Sequence, residues 1–140
     1  MTARPLTPAQ QEQINDALHG KLARLFFGQR HEDQRHGHEV ASRIKYDPTL
    51  LQAALLHDVG KSACDLGAIG RSLATIWSAS SLPIWGQWRT YAEHGPIGAS
   101  LLEANGADEL AVAFTRDHPG PVPEGIDPDA WRMLATADDA

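Results

Sequence analysis

Four histidines and two aspartates of this 140-residue chain stand in line with apolar residues, near the ends of segments that read as helices. Asp58 falls on the stripe Leu51, Ala54, Leu55 at the i+7 position, and its neighbour His57 lies in line with Leu50, Ala53 and Ala54. Asp138 holds the same place relative to Trp131, Leu134 and Ala135, and His118 closes the stripe Leu110, Ala111, Phe114. His36 lies one turn before Val40 and two before Ile44, while His94 sits just before Gly95-Pro96, where a side chain can reach across from a helix start. Taken singly, an inward histidine reads as a hydrogen-bonded core residue and an inward aspartate as a cap or half of an ion pair. An ionised carboxylate aimed at a core is costly unless something pairs with it. A shared divalent cation satisfies all six at once, because imidazole and carboxylate suit Mn, Fe, Co, Ni or Zn.

The other polar candidates read more simply. His38 projects with Ala41, Ser42 and Lys45 from a more polar face, and His19 and His31 read as solvated surface residues. Asp139 replaces Asp138 only if the last helix is shifted in register. Arg35 and Arg89 are cations suited to a phosphate. Trp77, Trp85 and Trp88 read as core packing or part of a lid, and Cys64 as structural.

These residues need helices to position them. Thr7-Pro8, Asp47-Pro48, Gly95-Pro96 and Asp127-Pro128 each place a capping-type residue before a proline, which fits the first helical position because its missing N–H has no partner there. The spacing predicts helices over 8–27, 48–59, 96–105 and 128–138, with two more from near Asp33 through Val40 and Ile44 and over 107–118. Gly60 is expected to stop the helix that carries His57 and Asp58. Residues 66–93 predict one or two helices broken near Ser80 to Pro83. No segment alternates in the two-residue period of a strand. The expectation is an all-α, compact single-domain helical bundle over residues 1–140.

Composition narrows the function. Formal net charge is −6, from 12 basic and 18 acidic residues, and the chain has no basic run, which argues against a nucleic-acid-binding surface. Cys64 is the one cysteine, so no intramolecular disulfide can form and a reducing, intracellular setting is expected. The first residues lack a signal-peptide pattern and no apolar stretch approaches the ~20 residues that span a bilayer. A cytoplasmic domain without a membrane partner is expected. Nothing in the sequence fixes an oligomeric state.

Together these residues resemble the HD superfamily of metal-dependent phosphohydrolases, whose pattern is a first His, an adjacent His-Asp pair and a final Asp. Here the first lies in Arg35-His36-Gly37-His38-Glu39-Val40-Ala41. The pair lies in Leu55-Leu56-His57-Asp58-Val59-Gly60-Lys61, the most specific match, and the last in Ala137-Asp138-Asp139. The resemblance covers about residues 33–139. It implies one metal held by His36, His57, Asp58 and Asp138, and a second, bridged by Asp58, held by His94 and His118. His94-Gly95-Pro96-Ile97-Gly98-Ala99 looks like the family's helix start at that point. Lys61 matches a lysine that approaches the substrate phosphate in many relatives. The chain departs from the pattern at Asp117-His118, where many two-metal relatives carry paired histidines, and it lacks the Gly-Tyr-Pro signature of cyclic-dinucleotide phosphodiesterases. Asp138 also stands on a last turn expected to fray.

The resemblance implies hydrolysis of a phosphate ester, with a small phosphorylated molecule as substrate and a nucleotide as one example. One or two divalent ions (Mn, Fe, Co, Ni, Zn or Mg) would serve as cofactor. A divalent metal lowers the pKa of bound water from ~15.7 to about 7, supplying a metal-bound hydroxide near neutral pH. Asp58 and Lys61 would be catalytic, with Lys61, Arg35 and Arg89 binding substrate. Two further readings stand beside this one: an HD-type diiron oxygenase with the same six ligands, and a metal-stabilised binding or regulatory domain without turnover.

Overall fold

The computed structural model describes residues 4–62 and 94–140, with the side chains of Ser62 and His94 outside that description. The expected roles of Cys64, Trp77, Trp85, Trp88 and Arg89, and the helices expected within 66–93, lie outside the described residues. The described residues form α1 (Pro8–Ala17), α2 (Gly20–Phe27), α3 (His31–Arg43), α4 (Leu51–Leu56), α5 (Val59–Ser62), α6 (His94–Ala104), α7 (Glu109–Asp117) and α8 (Pro128–Asp139). No strand occurs among them, and the fold is all-α. None of these helices is long and apolar enough to cross a membrane.

Of the four expected capping signals, those at Thr7 and Asp127 act as read, Gly95 lies inside α6 instead of before it, and Asp108 supplies a cap that the sequence reading did not name. Thr7 forms a reciprocal box with Gln10, its hydroxyl accepting from the Gln10 N–H while the Gln10 side chain accepts from the Thr7 N–H. Asp108 and Asp127 cap α7 and α8 by accepting from the N–H groups of Ala111 and Asp129. Asp47 does something else. Its carboxylate accepts from both the N–H and the hydroxyl of Thr49, which spends it on a local turn, so α4 begins at Leu51 instead of Pro48.

Three further expectations need correction. The helix expected over 8–27 breaks at Leu18 and His19, which are extended, and Gly20 takes the left-handed φ of +57° that reverses the chain. The break lets Leu18 bury alongside Leu22, Leu25 and Phe26. The helix containing His36 starts at His31, before Asp33. Gly60 is not a stop: the chain leaves the helix at His57 and Asp58 and re-enters it as α5, with Gly60 inside. A Cβ on Gly98 of α6 would lie 3.0 Å from the Gly60 nitrogen, so the two glycines let α5 and α6 approach backbone to backbone.

The core is centred on α4, where Leu51, Ala53, Ala54, Leu55 and Leu56 are all buried. Around it pack α2, α3, α7 and α8, while α6 lies against α5 and α7. Gly37 fixes the α3–α4 crossing, since a Cβ there would meet the Leu55 carbonyl at 2.9 Å and the Phe26 ring at 3.3 Å. That crossing sets His36 of α3 beside His57 at the end of α4.

Candidate metal centre

His57 caps the C-terminus of α4, and its ring is buried. Its Nδ1 lies 3.1 Å from the Ala54 carbonyl. A carbonyl only accepts, so Nδ1 carries a proton and donates it. In the neutral ring Nε2 then presents a lone pair, the arrangement a metal-ligating histidine needs.

Three imidazoles converge on one carboxylate. Asp138 Oδ1 lies 2.6 Å from His36 Nε2 and 3.0 Å from His57 Nε2, and Oδ2 lies 3.1 Å from His118 Nε2. Asp58 Oδ2 stands 3.4 Å from His57 Nε2, 3.9 Å from His36 Nε2 and 3.3 Å from Lys61 Nζ. The structure thus brings together five of the six expected ligands, drawn from α3, the α4–α5 turn, the end of α7 and the last turn of α8. His94 is the first residue of α6, and its side chain lies outside the description.

Supporting contacts hold the rings and the helix end. Phe114 is fully buried and stacks on His118, with ring centroids 4.4 Å apart at 14°, and it meets His57 and Trp131 edge-on. The last turn of α8, expected to fray, is tied to α3 by Arg43 Nη1, which donates to the Ala137 carbonyl at 2.7 Å. Sequence reading missed both residues as parts of the site. Phe114 was visible as a stripe residue, but the Arg43–Ala137 contact joins positions far apart in the chain and leaves no local signal.

Charge follows from this packing. Burial pushes His57 down, but the hydrogen bond with Asp138 and the charges of Asp58 and Asp138 outweigh it and leave the ring above its ordinary value. Hydrogen bonds from His36 and His57 hold the Asp138 carboxyl far below the usual carboxylate range despite partial burial. Asp33, one turn before His36, is raised by burial and then by the charge of Asp58, with Lys61 opposing. Sequence reading used Asp33 only as a helix start; its three-residue spacing from His36 was the available clue.

The fit to a cation can be tested on this geometry. With its Nδ1 proton committed to Ala54, neutral His57 would face the Asp138 oxygen acceptor to acceptor at 3.0 Å. Two acceptors repel at that distance unless a positive charge is shared between them, either a second ring proton or a metal ion. Ligands ~2.0–2.2 Å from one ion lie about 3.0 Å apart at right angles and about 3.4 Å apart at tetrahedral angles. The contacts of 3.0, 3.4 and 3.9 Å fall around these values, whereas His36 Nε2 and Asp138 Oδ1, at 2.6 Å, share a hydrogen bond and would move apart to take one ion. The donor set therefore fits a divalent cation held by His36, His57, Asp58 and Asp138.

The remaining candidates separate from this cluster. His38 is half-buried, and its Nδ1 accepts from the Tyr46 hydroxyl at 2.6 Å. Burial and then the charge of Arg35 lower its pKa, while burial pushes the Tyr46 phenol up to about 12, so the phenol keeps the proton it donates. Asp117 is paired with the Arg116 guanidinium at 3.0 and 3.1 Å. Arg35 is half-buried beside His36, and Lys61 is half-exposed at the rim. His19 caps α2 by position only, and His31 is exposed. No protein-family model, no curated protein and no solved structure matches the chain.

Proposed function

We propose that the chain is an HD-type metal-dependent phosphohydrolase, a cytoplasmic enzyme acting on a small phosphate ester such as a nucleotide. One observation carries this reading: His36, His57 and His118 all turn Nε2 onto Asp138, with Asp58 and its ion-pair partner Lys61 alongside. A divalent cation bound there supplies an activated water and a concentrated positive charge.

The chain's own residues divide the remaining work. His36, His57, Asp58 and Asp138 hold the cation, and the His57–Ala54 bond keeps the His57 lone pair aimed at it. Lys61 is anchored to Asp58 at its ammonium yet sits at the solvent edge, so it can meet an anionic substrate oxygen and stabilise charge that develops there. Arg35 offers a second cation for a phosphate, one residue from His36. The buried wall of Phe114 and Trp131 excludes water from the inner side of the site.

The test is a panel of nucleoside mono-, di- and triphosphates, cyclic nucleotides and an aryl phosphate, run with Mn, Co, Ni, Fe, Zn or Mg. Phosphate release by loaded wild type and not by His57→Ala supports the reading. No release across the panel, with two irons bound and oxygen consumed on adding an organic substrate, overturns it in favour of the oxygenase.

A further inference from the structure

We propose that a groove between the end of α3 and the outer face of α8 binds a small amphipathic carboxylate, an apolar body with one anionic head, and that its occupancy strengthens the metal centre behind it. The coupling rests on the metal reading above; the groove itself does not.

The groove has a volume of about 370 Å³, within the ~300–1,000 Å³ range of small-molecule sites. Ile44 and Ala137 are buried in its floor, and Met133 and Thr136 stand exposed along its side. Met133 is 48% exposed, one of two large apolar side chains so exposed among the described residues. A lone apolar side chain on a surface means little, but this one borders a concavity whose floor is also apolar. Its flexible thioether lets the wall adapt to an apolar guest.

The charged side chains that line the groove are Arg43 and Arg132, in a chain whose formal net charge is −6. Both already stand beside carboxylates. Arg43 Nη2 lies 3.9 Å from Glu39 Oε2, and Arg132 Nη2 lies 3.3 Å from Asp129 Oδ1. Pairs this open to solvent contribute little and are readily exchanged. A ligand carboxylate has the advantage that its apolar body, buried on Ile44 and Met133, holds the head in place.

One turn of α8 separates the groove from the metal centre. Arg43 Nη1 donates to the Ala137 carbonyl on the groove side, and the next residue, Asp138, turns to His36, His57 and His118. A guanidinium carries five N–H donors, so Arg43 can hold a ligand carboxylate and keep this bond. Whatever pins Arg43 pins that carbonyl, and Asp138 with it.

Decanoate, kept below its micelle concentration, is the probe, and binding to the metal-free full chain is followed by calorimetry. Wild type is expected to take up one equivalent saturably, with decanol and acetate, which lack the head or the body, binding at least about 10-fold more weakly. Thr136→Trp fills the groove from an exposed position and should abolish uptake without lowering the melting temperature. Arg43→Met should weaken it by about 10-fold. Saturating decanoate should tighten Mn²⁺ binding by about 5-fold in wild type and not in Thr136→Trp, and Mn²⁺ should tighten decanoate by the same factor. No decanoate uptake, or uptake that decanol matches or that Thr136→Trp retains, overturns the site. Unchanged Mn²⁺ affinity at saturating decanoate overturns the coupling. Decanoate uptake by a chain that takes no Mn²⁺ supports the groove and removes the metal reading instead.

Discussion

His57 donates its Nδ1–H to the Ala54 carbonyl, 3.1 Å away and three residues back in the chain. That contact commits the other ring nitrogen to the role of electron donor. It also means that the site needs a positive charge from outside its own neutral groups.

The first expectation concerns that charge. Mn²⁺ should raise the melting temperature of wild type, since free metal at about 100 times Kd stabilises the folded state by about 2.7 kcal/mol. His57→Ala and Asp58→Ala should lose both the bound metal and the shift. Metal content measured on the purified variants decides it; full occupancy in both would remove these residues from the ligand set.

Lys61→Ala should separate chemistry from folding. Lys61 is half-exposed and contacts Asp58 at 3.3 Å through its ammonium alone. Turnover should fall by about 10²–10³, as for loss of one stabilising donor, with metal content and melting temperature nearly unchanged. A variant that hydrolyses substrate at the wild-type rate would take Lys61 out of the mechanism.

Gly37→Ala should damage the site through the helix crossing. In an isolated helix, alanine is favoured over glycine by about 1 kcal/mol. Here the added carbon would lie 2.9 Å from a backbone oxygen of α4, and overpacking of that kind costs about 1–3 kcal/mol. Both the melting temperature and Mn²⁺ affinity should fall, because His36 rides on the same turn. An increase in stability would mean that the crossing has slack.

Acidity should act in opposite directions on the two partners in the metal-free protein. His57 binds its proton more tightly folded than unfolded, so its contribution is complete below the unfolded value of 6.5 and is lost as pH rises through the higher folded value. Asp138 is depressed, so its contribution is present above 3.8 and is lost as pH falls. Denaturant midpoints in chelator should therefore be highest between these limits. Metal binding requires unprotonated ligands, so Mn²⁺ affinity should climb over the upper range where metal-free stability declines. A metal-free midpoint that rises steadily from about pH 6 to about pH 8 would contradict the His57 assignment.

The inward stripes were legible because they are local: Asp58 relative to Leu51, and His118 relative to Phe114, follow from helical spacing. Their meeting point was not. His118 and Asp138 come together only through the packing of α7 and α8 on α4. Boundaries failed where a residue had a competing use, as with Asp47 binding Thr49, or where a glycine served a close approach instead of a stop, as with Gly60. His38 was read as polar-face, yet its partner Tyr46 follows three residues after the end of α3, where Lys45 and Tyr46 both take left-handed φ near 57° and 51°. Propensity gives no sign of that turn, because neither residue favours it.

The bond from Arg43 to the Ala137 carbonyl makes the tail of α8 a latch. Asp138 follows directly on that tied carbonyl, so an ion bound there would be expected to escape through a local opening of the turn. Exchange of the last α8 amides with deuterium and the metal off-rate should then share one opening step. Arg43→Met, which keeps the apolar stem and removes the donor, should speed both together while leaving the first encounter with metal unhurried. Faster amide exchange without faster metal release would show that the ion has another way out.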